Sequence, residues 1–520
     1  MAKDDDPEFF HDSNKTDRER EEFAKRQRER EATKPKAKAN GAGGHGDDPQ
    51  PQTQQKPRGL QTLSIGSDVE IAYRVVQDMQ NRFGEIVFAE GEFYRYVKTH
   101  WEPIEEADAR IIVHAYDGAY YAKNKQVKLT KGHINSVLNE AGAVLAQPDF
   151  FSRSAVGINC ANGFITFNSH DGKPQIGPHD PQHRCRHVLP GSWKPGFTGV
   201  SPNSLLEKLL NGTFRGDADA QDKVLLIGEM AGAAATGHAT KLSQPKSQVL
   251  VGEGAENGKS QILDILRGVL PTSAITSVTA AKMGDEKYLI RLRGKLLNAA
   301  DELSGSAAIA SEAFKAVVTG NTVTGRDLYR SGVDFCAVAL NVFATNALPT
   351  FSGGMDRGVR RRVLVLQFNR VIPKEERIED LGRKIAKEEP DLLLAFAVEG
   401  AARLIAARYF TVPPSSAEAT PQWFLLADPV LAWAAARVRD WTDLDREQDA
   451  PRYKSSAAYE RFNDWALNNG YRKDTLPAVN GFVQRLVGCS AAFKKHTATG
   501  NWVRGIRILD ADEPEERPAL

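Results

Sequence analysis

Residues 248–270 read QVLVGEGAENGKSQILDILRGVL, and the reading of this stretch decides the fold class. Gln248 to Gly252 is a short apolar run suited to a buried strand, and Ile262, Leu263, Leu266, Val269 and Leu270 recur at helical spacing. Between them lies GEGAENGKS, from Gly252 to Ser260. Strand, glycine loop and helix in that order make a phosphate cradle: glycines let backbone N–H groups turn onto phosphate oxygens at a helix N-terminus. Lys259 then reaches the outer phosphates and the Ser260 hydroxyl offers a ligand to Mg2+. Gly252, Gly254, Asn257, Gly258, Lys259 and Ser260 are therefore the candidate nucleotide-binding residues. The loop is one residue longer than the common spacing, because five residues separate Gly252 from Gly258. Either the loop bulges or Glu253 takes the first position.

Downstream, Leu296 and Leu297 lead through Asn298, Ala299 and Ala300 to Asp301 and Glu302. Adjacent carboxylates at the end of a buried strand suit two tasks, Asp301 holding the metal shell and Glu302 polarising an attacking water. A further strand, Val338 to Thr345, delivers Asn346, which can orient that water. MDRGVRRR then sets Arg357, Arg360, Arg361 and Arg362 before another buried run, Val363 to Phe368. Such guanidinium groups can neutralise charge on a transferring phosphoryl group.

The series GEGAENGKS, LLNAADEL, FKAVVTGNTVTGRDLY, NVFATNALP and RRRVLVLQF resembles the superfamily-3 helicase domain of phage and plasmid primase-helicases, the group that includes the poxvirus primase-helicase. SDVEIAYRVV, NGFITF and PHDP extend the resemblance over most of residues 65–510. It implies an AAA+-like α/β core with a parallel sheet, in homo-hexameric rings that use ATP and Mg2+ and move on single-stranded DNA, typically 3′ to 5′. It makes Lys259 and Ser260 Walker A residues, Asp301 and Glu302 Walker B, and Asn346 sensor 1. Arg361 best matches the arginine finger, followed by Arg362 and Arg357. The segment Gly320 to Phe335, with Arg326, Tyr329 and Arg330, matches the hairpin that lines the central channel, and a basic, aromatic-bearing loop suits a single strand. The expected activity is an ATP-dependent replicative DNA helicase of a phage, plasmid or mobile element, acting on single-stranded and forked DNA. The rival expectation is an origin-binding or loader ATPase that remodels DNA without processive unwinding. Relatives commonly carry a primase domain upstream, whereas about 60 polar residues precede the folded sequence here, so a separate primase is the expected partner.

The flanks set the remaining boundaries. Residues 1–60 are almost wholly polar, with twelve charged residues among the fifteen from Asp17 to Glu31, too little apolar surface to offset ordering entropy. Residues 61–244 are expected to form one mixed α/β accessory domain. Its first helix is signalled by Ser67 and Glu70 at capping-box spacing, and Asn162-Gly163 marks a hairpin between Ile158 and Ile165. His179, His183, Cys185 and His187 crowd together there but lack the second cysteine or helical histidine pair of a zinc site, and read as polar loop residues. The ATPase domain spans 245–410 and a helical connector 411–450. Residues 451–512 read as a winged-helix domain with Lys494, Lys495 and Arg504 on its hairpin for DNA backbone contact, or equally as a small protein-docking module, before an acidic tail at 513–520. A net charge of +1 gives no global basic field. Four dispersed cysteines fit reduced thiols in a host cytoplasm, and no apolar run reaches the roughly 18 residues of a membrane span.

Overall fold

The structure is a computed structural model. It describes residues 62–122, 124–252, 254, 256–301, 309–327, 332–345, 351, 356–441, 451–471, 473, 476–490, 492–497, 500–510 and 513–514. Glu253, Glu302, Tyr329, Arg330 and Asn346 lie outside the described residues.

The first module begins with a helix, Asp68–Phe83, which carries the predicted Ser67 cap, while the Glu70 carboxylate turns to amides upstream of Ser67. Ser67 Oγ accepts from the Glu70 amide at 3.2 Å, and the Glu70 carboxylate reaches back to the amides of Ser64, Ile65 and Gly66 at 2.7–2.9 Å. Ile71, Val75 and Met79 of this helix pack with Ile112, Val113 and Tyr116 in one core. An antiparallel sheet at Ile86–Ala89, Glu92–Tyr96 and Trp101–Pro103 is followed by a second at Gly157–Cys160, Gly163–Phe167 and Pro174–Gly177, with Ile158 opposite Ile165 in register. Those two isoleucines do not join the first core. With Trp193 they pack against the helices and sheet that follow, so the stretch 61–244 contributes to separate cores.

The central unit is α/β. Helices α1 (Leu205–Thr213) and α2 (Ala220–Thr236) precede β1 (Ser247–Val251), α3 (Lys259–Gly268), β2 (Ile275–Thr276) and β3 (Leu297–Ala300). Then come α4 (Ser311–Val318), β4 (Leu340–Thr345), β5 (Val363–Gln367) and α5 (Leu381–Glu388). The five strands form one sheet, β2-β3-β4-β1-β5, and every pairing is parallel. Parallel strands are buried on both faces. Accordingly Leu250, Val342 and Leu364 face the core built on α2, and Val249, Phe343 and Val365 face a second core. α2 crosses α6 (Pro390–Ala407) closely enough that a Cβ on Gly400 would lie 1.7 Å from the Gly228 carbonyl oxygen. The outer edge of β5 is covered by α7 (Pro414–Ala427), whose Thr420 Oγ1 accepts from the Val365 amide at 3.2 Å, so the edge offers no open ladder there.

The C-terminal module packs α8 (Pro429–Arg437) with helices Ser455–Asn468 and Val479–Cys489, through Trp433, Phe462 and Phe482. α8 falls in the sequence expected to be connector, yet its Trp433 is buried in this core. Tyr453–Lys454, Gly500–Arg504 and Phe493–Thr497 form an antiparallel three-stranded sheet, with Gly500–Arg504 in the middle. Among the described residues no helix is long and apolar enough to cross a membrane.

Candidate nucleotide site

The carboxyl edge of the parallel sheet brings together the glycine loop, Lys259, Ser260 and Asp301. β1 ends at Val251, in register with Thr345 at the end of β4, so the glycine loop starts beside the end of β4. β3 ends at Ala300, paired with Phe343, which brings Asp301 to the same edge. The loop is tightly closed. A Cβ on Gly252 would lie 2.3 Å from Asn257 Nδ2 and 2.9 Å from Lys259 Nζ, and Gly258, at φ 88°, is 2.9 Å from Thr213 Oγ1 by the same measure. Only glycine fits either position without strain. Glu256 is also left-handed, at φ 67°, without a glycine's freedom. Its carbonyl accepts from the Ile372 amide at 3.0 Å and its carboxylate pairs with Arg377, so the segment after β5 straps the longer loop down.

Lys259 opens α3 and is 8% exposed. Its ammonium donates to the Gly252 carbonyl at 2.9 Å, across the mouth of the loop, and burial pushes its pKa below the usual lysine value. Ser260 is exposed beside it. A cleft of about 920 Å³ opens alongside, lined by Asn211, Thr213, Asn257, Lys259, Ile372 and Arg377 among others, a volume suited to a nucleotide-sized ligand.

Asp301 reaches the right edge but its carboxylate is not aimed at Ser260. Arg267 Nη2 donates to Asp301 Oδ2 at 3.0 Å, from near the far end of α3, about 12 Å along the helix from Lys259. Magnesium is a hard cation that takes few protein oxygens and shares phosphate oxygens and water, so Ser260 and Asp301 are chemically apt donors. Asp301 must release Arg267 to serve.

The arginines lie at the opposite edge. Lys246 Nζ donates to the Arg361 carbonyl at 2.9 Å and the Ser247 amide to the Arg362 carbonyl at 2.8 Å, just before β1 and β5 begin. A five-residue strand is about 15 Å long, so these groups stand a strand's length from their own glycine loop. Arg357 and Arg361 are exposed. Arg362 instead folds back, Nη1 donating to Gly358 O at 2.7 Å, and burial, with Arg361 nearby, pushes its pKa down. Arg360 is half-buried.

The hairpin pairs Thr322–Gly325 with Val333–Cys336, and Gly325 comes so close to Ile290 that a Cβ would meet its amide nitrogen at 2.7 Å. Arg326 follows, 3.7 Å from Glu286. In the C-terminal module Arg504 is half-buried, and Lys494 and Lys495 lie in register with Val503 and Trp502. The histidine-rich loop disperses: His179 faces Asn159, His183 stacks on Phe164, and His187 contacts Gly294 O at 2.8 Å, where burial pushes it down to about 4.

Two supports were missed by sequence reasoning. Lys223 of α2 is fully buried and donates to Asp217 at 2.7 Å and to the Gln367 carbonyl at 3.2 Å, tying α2 to the end of β5. The next residue, Phe368, donates its amide to the Val251 carbonyl at 2.8 Å, so this lysine braces the strand that abuts the loop. A lone lysine in an apolar helix was the available signal. The Arg377 strap left none.

Residues 72–215 match the family described as D5 N terminal like, and residues 250–362 match a family of unknown function, DUF5906. Two solved structures of the NrS-1 C-terminal region are similar at 14% identity, each covering 84% of this chain and 99% of its own, with a TM-score of 0.39. No curated protein matches the sequence. The chain thus carries a D5 N-terminal-like region followed by a DUF5906 region, and the second holds the glycine loop, the two carboxylates and the arginines.

Proposed function

We propose that this chain is an ATP-dependent replicative DNA helicase of a phage, plasmid or mobile element, an AAA+-like motor of superfamily 3 that works as a homo-hexameric ring on single-stranded DNA, moving 3′ to 5′. The observation that carries this reading is the division of chemistry between the two edges of the sheet. Glycine loop and Asp301 share the carboxyl edge, and Arg357–Arg362 sit at the amino edge, too far to serve their own loop. A group so placed can act on a nucleotide only if a second copy presents one.

In this reading Lys259 and the loop amides bind the phosphates. Ser260 and Asp301 would hold magnesium, which would supply positive charge against the charge developing on the phosphates. Glu302 takes the proton of the attacking water and Asn346 orients it. Arg361 is the finger, because Arg362 is drawn onto Gly358 and Arg361 is exposed. Arg326, Tyr329 and Arg330 grip the single strand. The C-terminal module, three helices and a β-hairpin, is read as a winged helix that contacts DNA backbone through Lys494, Lys495 and Arg504.

The rival reading, an origin-binding or loader ATPase without processive unwinding, draws support from the pairing of Arg326 with Glu286, which compensates part of the hairpin's charge. One experiment addresses both. Glu302→Gln should bind ATP normally and turn it over at least about a hundredfold more slowly, while the unaltered chain should open a forked duplex only with ATP. Normal turnover by Glu302→Gln refutes the site. ATPase without fork opening leaves the loader.

A further inference from the structure

The three-stranded sheet of the C-terminal module has one face in the core and one face out. Strand alternation fixes which is which: Val503 is 0% exposed among Phe462, Phe482 and Leu486, and Tyr453 packs against the same core. Trp502 and Arg504, one residue to either side of Val503, therefore belong to the outer face, as do Arg452 and Lys454 beside Tyr453. Trp502 holds the middle strand, in register with Lys454 on one neighbour and Lys495 on the other. The Arg452 guanidinium and the Lys454 ammonium each lie 6.0 Å from the centre of the indole ring. From Ser490 to Leu509 the sequence holds Lys494, Lys495, His496, Arg504 and Arg507 and no carboxylate.

We propose that this outer face is a stacking platform for unpaired bases of single-stranded DNA, Trp502 receiving a base and Arg452, Lys454 and Arg504 receiving the phosphates beside it. A flat aromatic ring in the centre of a sheet, flanked by cations, meets the two needs of a single strand, a π-surface and a countercharge. A duplex keeps its base faces inside its own stack. It would use the cations and leave the indole without a role. The charge excess also disfavours an ordinary protein partner. The platform takes from the proposed function only its ligand, DNA, and requires no hydrolysis. It adds a single-strand contact outside the channel hairpin, suited to holding the strand displaced at a fork.

The test uses the full chain without nucleotide, carrying Arg326→Ala so that the hairpin contributes less. Binding of an oligothymidylate of about twenty nucleotides and of a duplex of equal length is measured, together with quenching of tryptophan fluorescence. Trp502→Ala should weaken single-strand binding on the order of tenfold, the scale of one lost base stack. Trp502→Phe, which keeps a ring, should lose less than about threefold while abolishing the Trp502 share of the quench. Duplex affinity should stay within about twofold in both. Equal losses on duplex and single strand, or no loss on either with the melting temperature unchanged, overturn the proposal. Basal ATPase of the same proteins separates the two readings. Quenching that depends on Trp502 in a chain without ATPase sustains the platform and removes the motor, and ATPase without a Trp502 effect does the reverse.

Discussion

The two edges of the parallel sheet are built from different materials. At the carboxyl edge the work is done by backbone: left-handed glycines, closed contacts and a buried lysine laid across the loop mouth. Those parts all come from one chain. At the amino edge the backbone of Arg361 and Arg362 is pinned by Lys246 and Ser247, and the exposed guanidinium groups of Arg357 and Arg361 are left pointing to solvent. The difference teaches that a closed backbone loop and a row of exposed side chains suit different tasks, on the proposed function binding a nucleotide and reaching another subunit's.

The sharpest way to break that comparison is to remove one edge at a time. Arg361→Ala should leave ATP binding nearly intact and lower turnover by about a thousandfold, the scale of arginines supplied between molecules in phosphoryl transfer. Mixing Arg361→Ala with Glu302→Gln under conditions of subunit exchange should restore part of the ATPase, because some interfaces then join an intact acid to an intact arginine. No recovery in verified mixed assemblies, with normal turnover by Arg361→Ala, would pass the role to Arg357. A strictly monomeric chain with full activity would remove the divided site altogether.

At the other edge, Lys259→Ala should weaken nucleotide binding itself, on the order of a hundredfold, since a buried ammonium facing phosphate is lost. Equilibrium binding of a fluorescent ATP analogue measures this directly. Tight binding that survives would mean the strapped loop holds phosphate through amides without the lysine. A third change leaves both edges alone. Arg326→Ala with Arg330→Ala should lower DNA stimulation of the ATPase about tenfold and stop fork opening, and basal hydrolysis should stay within about twofold. If basal hydrolysis falls equally, the hairpin braces the core through Glu286 and does not grip DNA.

The carboxyl edge was legible in sequence because its signals are local. An apolar run, glycines at a turn and an apolar helical face fix β1, the loop and α3 within 23 residues, and the cap at Ser67 and the hairpin at Ile158 are local in the same way. What sequence could not supply was neighbourhood. Nothing in QVLVG says that β4 and β5, about a hundred residues away, flank it, and nothing in GINC and GFITF says that they pack with the sheet and not with the helix at Asp68. Asp301 shows the same limit: position on the edge follows from the strand, whereas its pairing with Arg267 depends on how α3 lies across the sheet. Trp433 looked like connector because its partners, Phe462 and Phe482, lie well downstream.

The smallest expected effect concerns the strand between the two edges. Gln248 of β1 lies in register between Val342 and Leu364, is fully buried, and among the described residues neither its amide oxygen nor its amide nitrogen has a hydrogen-bond partner. A buried amide left unpaired forfeits about 1–3 kcal/mol of solvation. Methionine has nearly the same length and no polar group to desolvate, and volume-conserving changes are the ones a packed core tolerates. Gln248→Met should therefore raise stability by about 1–2 kcal/mol. Thermal unfolding should show this as a higher midpoint for the transition that includes the central sheet. ATP affinity and basal turnover should stay unchanged, because the side chain faces the α2 core and not the loop. A midpoint that falls would mean that a buried water satisfies the amide, and the glutamine would then be a designed polar link inside the sheet. A higher midpoint together with slower turnover would show that the unpaired amide keeps β1 loose enough for the two edges to move relative to each other, and would end the view of the strand as a rigid spacer between them.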